Sequence, residues 1–181
     1  MLAADTMRAY RAVIGVACAA STAIGAAHAQ SAPDLRDTLD RADLSWSIMS
    51  LTGERRTLES FRGRVIIINS WATWCEPCVA ELTSLTALRA AVPDSGLVFA
   101  LVAAQRQQPV ADFVRRRALR LPVYLELSMA PSVYRFEAVP TTWIVDRSGR
   151  IAFRRRGAMR WDTPQVRALV TTLLRHPGPP K

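Results

Sequence analysis

The chain has 181 residues, half of them hydrophobic, which is enough for one packed domain and excludes an intrinsically disordered sequence. Its formal charge is +9, and of its 24 basic residues only Lys181 is Lys. The Arg residues are scattered without a nucleic-acid motif, so we read them as a compositional bias; no nucleic-acid partner is expected, although such a charge also suits acidic partners or membrane surfaces.

Residues 1–29 have the pattern of an export signal. Arg8 and Arg11 form a positive start, residues 12–27 are small, apolar and uncharged, and Ala27-His28-Ala29 before Gln30 fits a cleavage site. The expectation is cleavage after Ala29 and a soluble periplasmic product, with Met7 as an alternative start. Retention of residues 7–29 as a membrane anchor is the alternative; the stretch is short and Ala/Gly-rich for a stable span. Lipid attachment at Cys18 is a third reading, disfavoured by Gly15 at the position three before it. Cleavage removes Cys18 and leaves Cys75 and Cys78. A single close pair in an oxidising compartment suits catalysis better than a structural framework. Cleavage also removes His28 and leaves His176, so neither histidine catalysis nor a His-ligated metal is expected, and no cofactor is implied.

Residues 30–43 read as a flexible lead-in. Residues 44–50 and 55–58 form two short runs around Leu51-Thr52-Gly53-Glu54, the pattern of a hairpin. Arg64 leads into residues 65–70, which read as too continuous an apolar run for a half-exposed strand and so as a central strand of a sheet. Next comes Trp74-Cys75-Glu76-Pro77-Cys78, and then a helix with Leu82, Leu85, Leu88 and Val92 at helical spacing, stopped by Pro93-Asp94-Ser95-Gly96. Two thiols two residues apart at a strand-to-helix junction are placed for redox chemistry. The helix start presents unpaired N–H groups and partial positive charge, which favour the attacking thiolate. The same pair could be an inert disulfide or hold two-coordinate copper(I), because thiolates are soft ligands.

Residues 97–102 form a second buried strand. Pro109 opens a helix through Arg120 with Val110, Phe113, Val114 and Leu121 on its apolar side. Residues 123–125 are extended, and 128–136 form a short helix or two turns. Residues 141–146 and 151–153 make an antiparallel hairpin across Arg147-Ser148-Gly149-Arg150. Thr163 caps a last helix with Pro164 at its first position, and Val166, Leu169, Val170, Leu173 and Leu174 form its apolar face. The domain spans 44–175, and 176–181 is a frayed tail. Alternating strands and helices closed by an antiparallel hairpin give an α/β fold with a mixed central sheet flanked by helices and an N-terminal β-hairpin extension.

Asn69-Ser70-Trp71-Ala72-Thr73-Trp74-Cys75-Glu76-Pro77-Cys78-Val79-Ala80-Glu81 resembles the TlpA/ResA-like branch of the thioredoxin superfamily, as does Ala138-Val139-Pro140-Thr141-Thr142-Trp143-Ile144-Val145-Asp146-Arg147-Ser148-Gly149-Arg150-Ile151. The likeness covers about residues 44–174 and implies the thioredoxin fold. It implies an exported thiol-disulfide oxidoreductase that reduces disulfides of periplasmic client proteins, of the kind used in cytochrome c maturation or copper-site assembly. The implied partners are disulfide-containing proteins and a membrane thiol electron donor, and the protein is expected to be a monomer. Cys75 takes the role of exposed nucleophile and Cys78 that of resolving thiol. Glu81 takes that of a buried acid exchanging a proton with Cys78, with its pKa raised by burial. Val139-Pro140 matches a cis-proline site facing the dithiol, where the Val139 backbone pairs with an extended substrate. Trp74, Glu76 and Pro77 complete the substrate-contacting rim, and Trp71 reads as core. The alternatives are a copper(I) metallochaperone and a disulfide oxidant using the same dithiol. On sequence alone Glu81 could also be an ordinary exposed helix residue, and Pro140 trans. Two positions depart from relatives: Asn69 stands where thioredoxin has a buried Asp, and Thr83 where the family usually has a helix-kinking Pro. The first leaves the proton role to Glu81 alone; the second predicts a straighter helix.

Overall fold

Ser50 and Glu54 close the first hairpin. The Ser50 N–H donates to the Glu54 carbonyl at 2.8 Å, and the Gly53 N–H donates to the Ser50 carbonyl at 3.0 Å. Gly53 sits at φ +90, a left-handed conformation that glycine adopts without steric cost. The turn joins β1 (Ser47–Ser50) to β2 (Arg55–Thr57) as an antiparallel pair, with Ile48 opposite Arg56. This computed structural model describes residues 41–135 and 138–176. The expected export signal, most of the lead-in and residues 177–181 lie outside the described residues.

A 3-10 turn at Leu58–Phe61 leads to β3 (Val65–Trp71), every residue of which is buried: the apolar run of residues 65–68, the polar pair Asn69-Ser70, and Trp71. Then follow α1 (Glu76–Ala91), β4 (Leu97–Ala103), α2 (Gln107–Arg116) and β5 (Val123–Glu126). A second 3-10 turn (Ser132–Tyr134) precedes β6 (Thr141–Val145), β7 (Ile151–Arg156) and α3 (Pro164–Arg175). The strands lie in the order β2-β1-β5-β4-β3-β6-β7. β3, β4 and β5 run parallel; β1 adds to β5, β6 to β3 and β7 to β6 antiparallel. The sheet is mixed, with the N-terminal hairpin as its extension, which is the thioredoxin fold expected from the order of elements.

Period two along β3 divides the core. Val65, Ile67 and Trp71 join Leu82, Leu85 and Leu88 of α1, Phe113 of α2 and Val170 of α3 in one cluster. Ile66 and Ile68 join Trp46, Leu58, Tyr134 and Trp143 in the other. The apolar residues of all three α-helices thus belong to one cluster, while 3-10 turns and the segment before β1 close the other. Each fully buried Leu in the α1 row contributes about 1.5–3 kcal/mol of transfer free energy.

Several boundaries differ from the sequence reading. α2 begins two residues before Pro109 and ends at Arg116 rather than Arg120. Ala118 takes φ +47, its N–H donates to the Arg115 carbonyl at 3.2 Å, and the Leu119 N–H donates to the Val114 carbonyl at 3.1 Å. That hydrogen-bond pair stops the helix by a Schellman motif, which usually uses Gly and is hard to recognise when the left-handed residue is Ala. β7 continues past Phe153 through three exposed Arg residues. Charged side chains hide the end of a strand from an apolar-pattern reading, yet they suit an edge strand with one unpaired side. α3 starts as expected: Thr163 Oγ1 accepts the Val166 N–H at 3.3 Å, and Pro164 occupies the first turn.

Candidate active site

The dithiol sits where β3 hands the chain to α1. Cys75 is the N-cap of α1, and its Sγ accepts the Cys78 N–H at 3.2 Å. Pro77 lies in the first turn, where the missing N–H has no intrahelical partner to lose. The loop before the cap is tied down twice. The Cys75 N–H donates to the Ala72 carbonyl at 3.2 Å. Gln105, just past β4, receives the Thr73 N–H at 2.8 Å and donates to Thr73 Oγ1 at 3.1 Å. The helix start, its dipole and this anchored loop fix the sulfur position.

Cys75 and Cys78 form a disulfide with their Cα atoms 5.2 Å apart. Cys78 is fully buried, and Cys75 is 5% exposed. The expectation of an exposed nucleophile is therefore corrected for the oxidised protein. Cys75 Sγ lies against the backbone of Val139, 3.7 Å from its carbonyl oxygen, which covers it. In the disulfide no proton lies between these atoms; on reduction that carbonyl is an acceptor within reach of the thiol. The exposed surface is instead Trp74, 74% accessible, together with Glu76 and Pro77. Trp71 is buried in the core.

The Val139–Pro140 bond is cis. Ser70 of β3 pairs with Thr141 of β6, so Val139 and Pro140 come in beside the end of β3, next to the dithiol loop. Thr141 Oγ1 donates back to the Ala138 carbonyl at 2.8 Å, and the Gly157 N–H donates to the Pro140 carbonyl at 2.8 Å. Both hold the proline loop from below.

Glu81 is one turn along α1 from Cys78, on the same side of the helix. It is 3% exposed and not a surface residue. Its Oε1 accepts from Asn69 Nδ2 at 2.7 Å; its Oε2 accepts from Trp161 Nε1 at 3.0 Å and the Met159 N–H at 3.4 Å. Burial raises its pKa above the ordinary carboxyl value, and the N–H donors of Trp161, Asn69 and Met159 oppose that shift without cancelling it. Asn69 Nδ2 also donates to Thr142 Oγ1 at 2.8 Å. The Ser84 hydroxyl donates to the Glu81 carbonyl at 2.9 Å and accepts the Trp161 N–H at 3.1 Å, fixing the loop after β7 onto α1. α1 runs unbroken across Thr83, in agreement with the absence of a proline there.

The structure thus brings Cys75, Cys78, Val139 and Pro140 together, with Trp74, Glu76 and Pro77 at the rim and Glu81 beneath. Sequence reasoning missed Trp161, Thr142, Met159 and Gln105. A buried Trp needs an acceptor for its indole N–H, which is the one signal that could have linked Trp161 to an acid. Among the described residues no group of three or more His, Cys, Asp or Glu could hold a metal, and no helix is long and apolar enough to cross a membrane.

Comparison with known proteins gives the same picture. The Redoxin family model matches residues 27–173. The thioredoxin-like protein YneN of Bacillus subtilis is 28% identical over 131 residues, 71% of this chain and 71% of YneN. The thiol-disulfide oxidoreductase ResA of Bacillus cereus is 26% identical over 106 residues, 58% of this chain and 61% of ResA. Among solved structures, StoA from Bacillus subtilis superposes with TM-score 0.58 at 23% identity, covering 68% of this chain and 95% of StoA. A thioredoxin-family thiol:disulfide interchange protein from Chlorobium tepidum gives TM-score 0.59 at 21% identity, covering 75% and 98%. These two likenesses establish the shared fold. With a family model spanning most of its length and a Cys-x-x-Cys disulfide at the fold's reactive end, the chain belongs to the Redoxin family, in which it resembles ResA and YneN.

Proposed function

We propose that this thiol-disulfide oxidoreductase works as a reductant of disulfides in exported client proteins. The observation that carries the reading is the Cys75–Cys78 disulfide at the start of α1, facing the cis Val139–Pro140 bond. The chemistry follows from the positions. Cys75, as thiolate, is stabilised by the Cys78 N–H and the helix dipole, and it attacks one sulfur of a substrate disulfide. A mixed disulfide forms and the other substrate sulfur leaves as thiolate, to be protonated from water. Cys78 then gives its proton to Glu81 and attacks Cys75 Sγ. The second substrate sulfur leaves, the client has gained two electrons, and Cys75–Cys78 is oxidised. Glu81 suits that proton transfer because it lies one turn from Cys78 and burial raises its pKa above the ordinary carboxyl value. Exposed Trp74, Glu76 and Pro77 form the rim met by the client, and the Val139 backbone pairs with an extended client segment.

The wider setting belongs to the same proposal. The signal-like pattern of residues 1–29 supports export, with cleavage after Ala29 and a monomeric domain over residues 44–175. A membrane thiol donor restores the dithiol, and cytochrome c maturation or copper-site assembly is the client setting implied by the resemblance to ResA. The test is the reduction potential of the protein in defined dithiothreitol or glutathione buffers. A value near or below about −270 mV, that of thioredoxin, fits a reductant. A value near about −120 mV, that of DsbA, fits an oxidant and ends the reductant reading.

A further inference from the structure

We propose that Asn69 is a positioning residue that turns its side-chain amide over as Glu81 gains or loses its proton, and that the proton sits on Glu81 Oε1. The proposal rests on the reading of Glu81 as the proton partner of Cys78.

The two carboxyl oxygens have unlike neighbours. Oε2 faces the Trp161 indole N–H and the Met159 backbone N–H, and neither can accept a hydrogen bond. A proton placed there would meet two donors. Oε1 faces the Asn69 amide, whose nitrogen donates and whose oxygen accepts. Asn69 is therefore the neighbour able to serve either form of the acid. With Glu81 ionised, Asn69 Nδ2 donates to Oε1 and to Thr142 Oγ1. With Glu81 protonated, a half-turn of the amide puts Oδ1 where Nδ2 was. Oδ1 then accepts the Glu81 O–H, and the Thr142 hydroxyl reverses to donate to it.

The amide is also free to turn. Asn69 is fully buried, and its Oδ1 has no hydrogen-bond partner among the described residues. After the half-turn Nδ2 takes over that unpartnered position. Each orientation leaves one polar atom of the amide unpaired, so neither is locked by a bond on its far side. An Asp here, as in thioredoxin, would add a second acid beside Glu81; Asn supplies both hydrogen-bonding senses without a charge.

The groups around Glu81 leave no competing titration in the oxidised protein. β3 offers Asn69, β6 offers Thr142, and the loop after β7 offers Met159 N and Trp161, none of which titrates. On α1 the titratable neighbours are Cys75 and Cys78, which are silent while bonded to each other. Arg155 and Arg160 are exposed, and Arg160 pairs with Asp162.

The experiment is an NMR titration of the oxidised full chain. It follows the Glu81 side-chain carboxyl carbon and the Asn69 side-chain NH2 together. The expected result is one shared midpoint, with the NOE between Asn69 NH2 and Thr142 lost on the acid side. A Glu81 carboxyl that titrates while the Asn69 NH2 signals and their NOE stay fixed overturns the proposal. Asn69→Leu removes the partner of both forms, but the bond to the ionised carboxylate is the stronger of the two, so the Glu81 midpoint is expected to rise by about one pH unit or less. A rise of about two units or more in that folded variant, the mark of a donor lost to the carboxylate with no acceptor lost to the acid, also overturns it. If Asn69→Leu does not fold, the wild-type titration decides. The parent reading fails separately, through an unchanged pH profile of Cys78 alkylation in reduced Glu81→Gln.

Discussion

The carboxylate of Glu81 accepts the indole N–H of Trp161 at 3.0 Å, across a sequence separation of 80 residues. Each residue answers a need of the other. A buried indole N–H without an acceptor is costly, and a buried carboxylate without donors is more so. Three N–H groups replace much of the water that Glu81 loses, but burial outweighs them and its pKa stays raised. An acid so placed can both take and return a proton inside the protein.

The raised pKa of Glu81 gives a signed pH dependence of stability. Between the ordinary value of 4.5 and the raised native value, the folded protein holds a proton that the unfolded chain has released. Stability therefore falls as pH rises through that window, and the contribution is complete below it. Denaturant midpoints of the oxidised protein measured against pH are expected to show this slope, and Glu81→Gln to flatten it. A Gln variant that keeps the whole slope assigns it to another group.

Cys75→Ser is expected to abolish turnover of a disulfide client, since the attacking sulfur is gone. Cys78→Ser is expected to accumulate a client joined to Cys75, visible on a non-reducing gel. Full reductase activity in Cys75→Ser would falsify the proposed order of attack.

Ala118 holds a left-handed conformation at the end of α2 that costs an L-residue about 1–2 kcal/mol. Glycine relieves that cost but loses more entropy on folding. The net expectation for Ala118→Gly is a stabilisation of up to about 1 kcal/mol, read from chemical denaturation. A loss of stability would mean that the Ala methyl packs more strongly than its backbone is strained.

Tyr134 is fully buried between Trp46, with ring centroids 5.4 Å apart, and Trp143, at 5.5 Å. Its hydroxyl has no partner among the described residues, and burial drives its pKa well above the ordinary value. Tyr134→Phe removes the unsatisfied group and keeps the ring, so stability should be unchanged or higher by about 1 kcal/mol. Tyr134→Ala empties the aromatic stack and should cost about 3–5 kcal/mol. Equal losses in the two variants would show that the hydroxyl, and not the ring, carries the contact.

Much of this molecule is decided locally, and such features are legible in the sequence. Residues 65–68 are apolar without a break, the mark of an interior strand. Thr163-Pro164 starts a helix because a hydroxyl and a ring meet the needs of its first turn. Cys75 and Cys78 are close because they are three residues apart at a helix start, whatever the rest of the chain does. The hairpin through Gly53 follows from the one residue type that accepts its φ. Other features belong to the tertiary structure. Trp161, Asn69 and Thr142 meet around Glu81 because β3, β6 and the loop after β7 converge there, and their separation along the chain hides that meeting. The near-complete burial of Cys75 depends on the Val139 backbone, brought in from 64 residues away by the pairing of β6 with β3. The redox pair, its place at a helix start and the order of elements were legible from the residues alone, since short-range sterics and apolar periodicity govern them. How much of each sulfur is covered and which donors hold the acid came from the folded chain, because both depend on contacts between distant segments whose geometry no local pattern encodes.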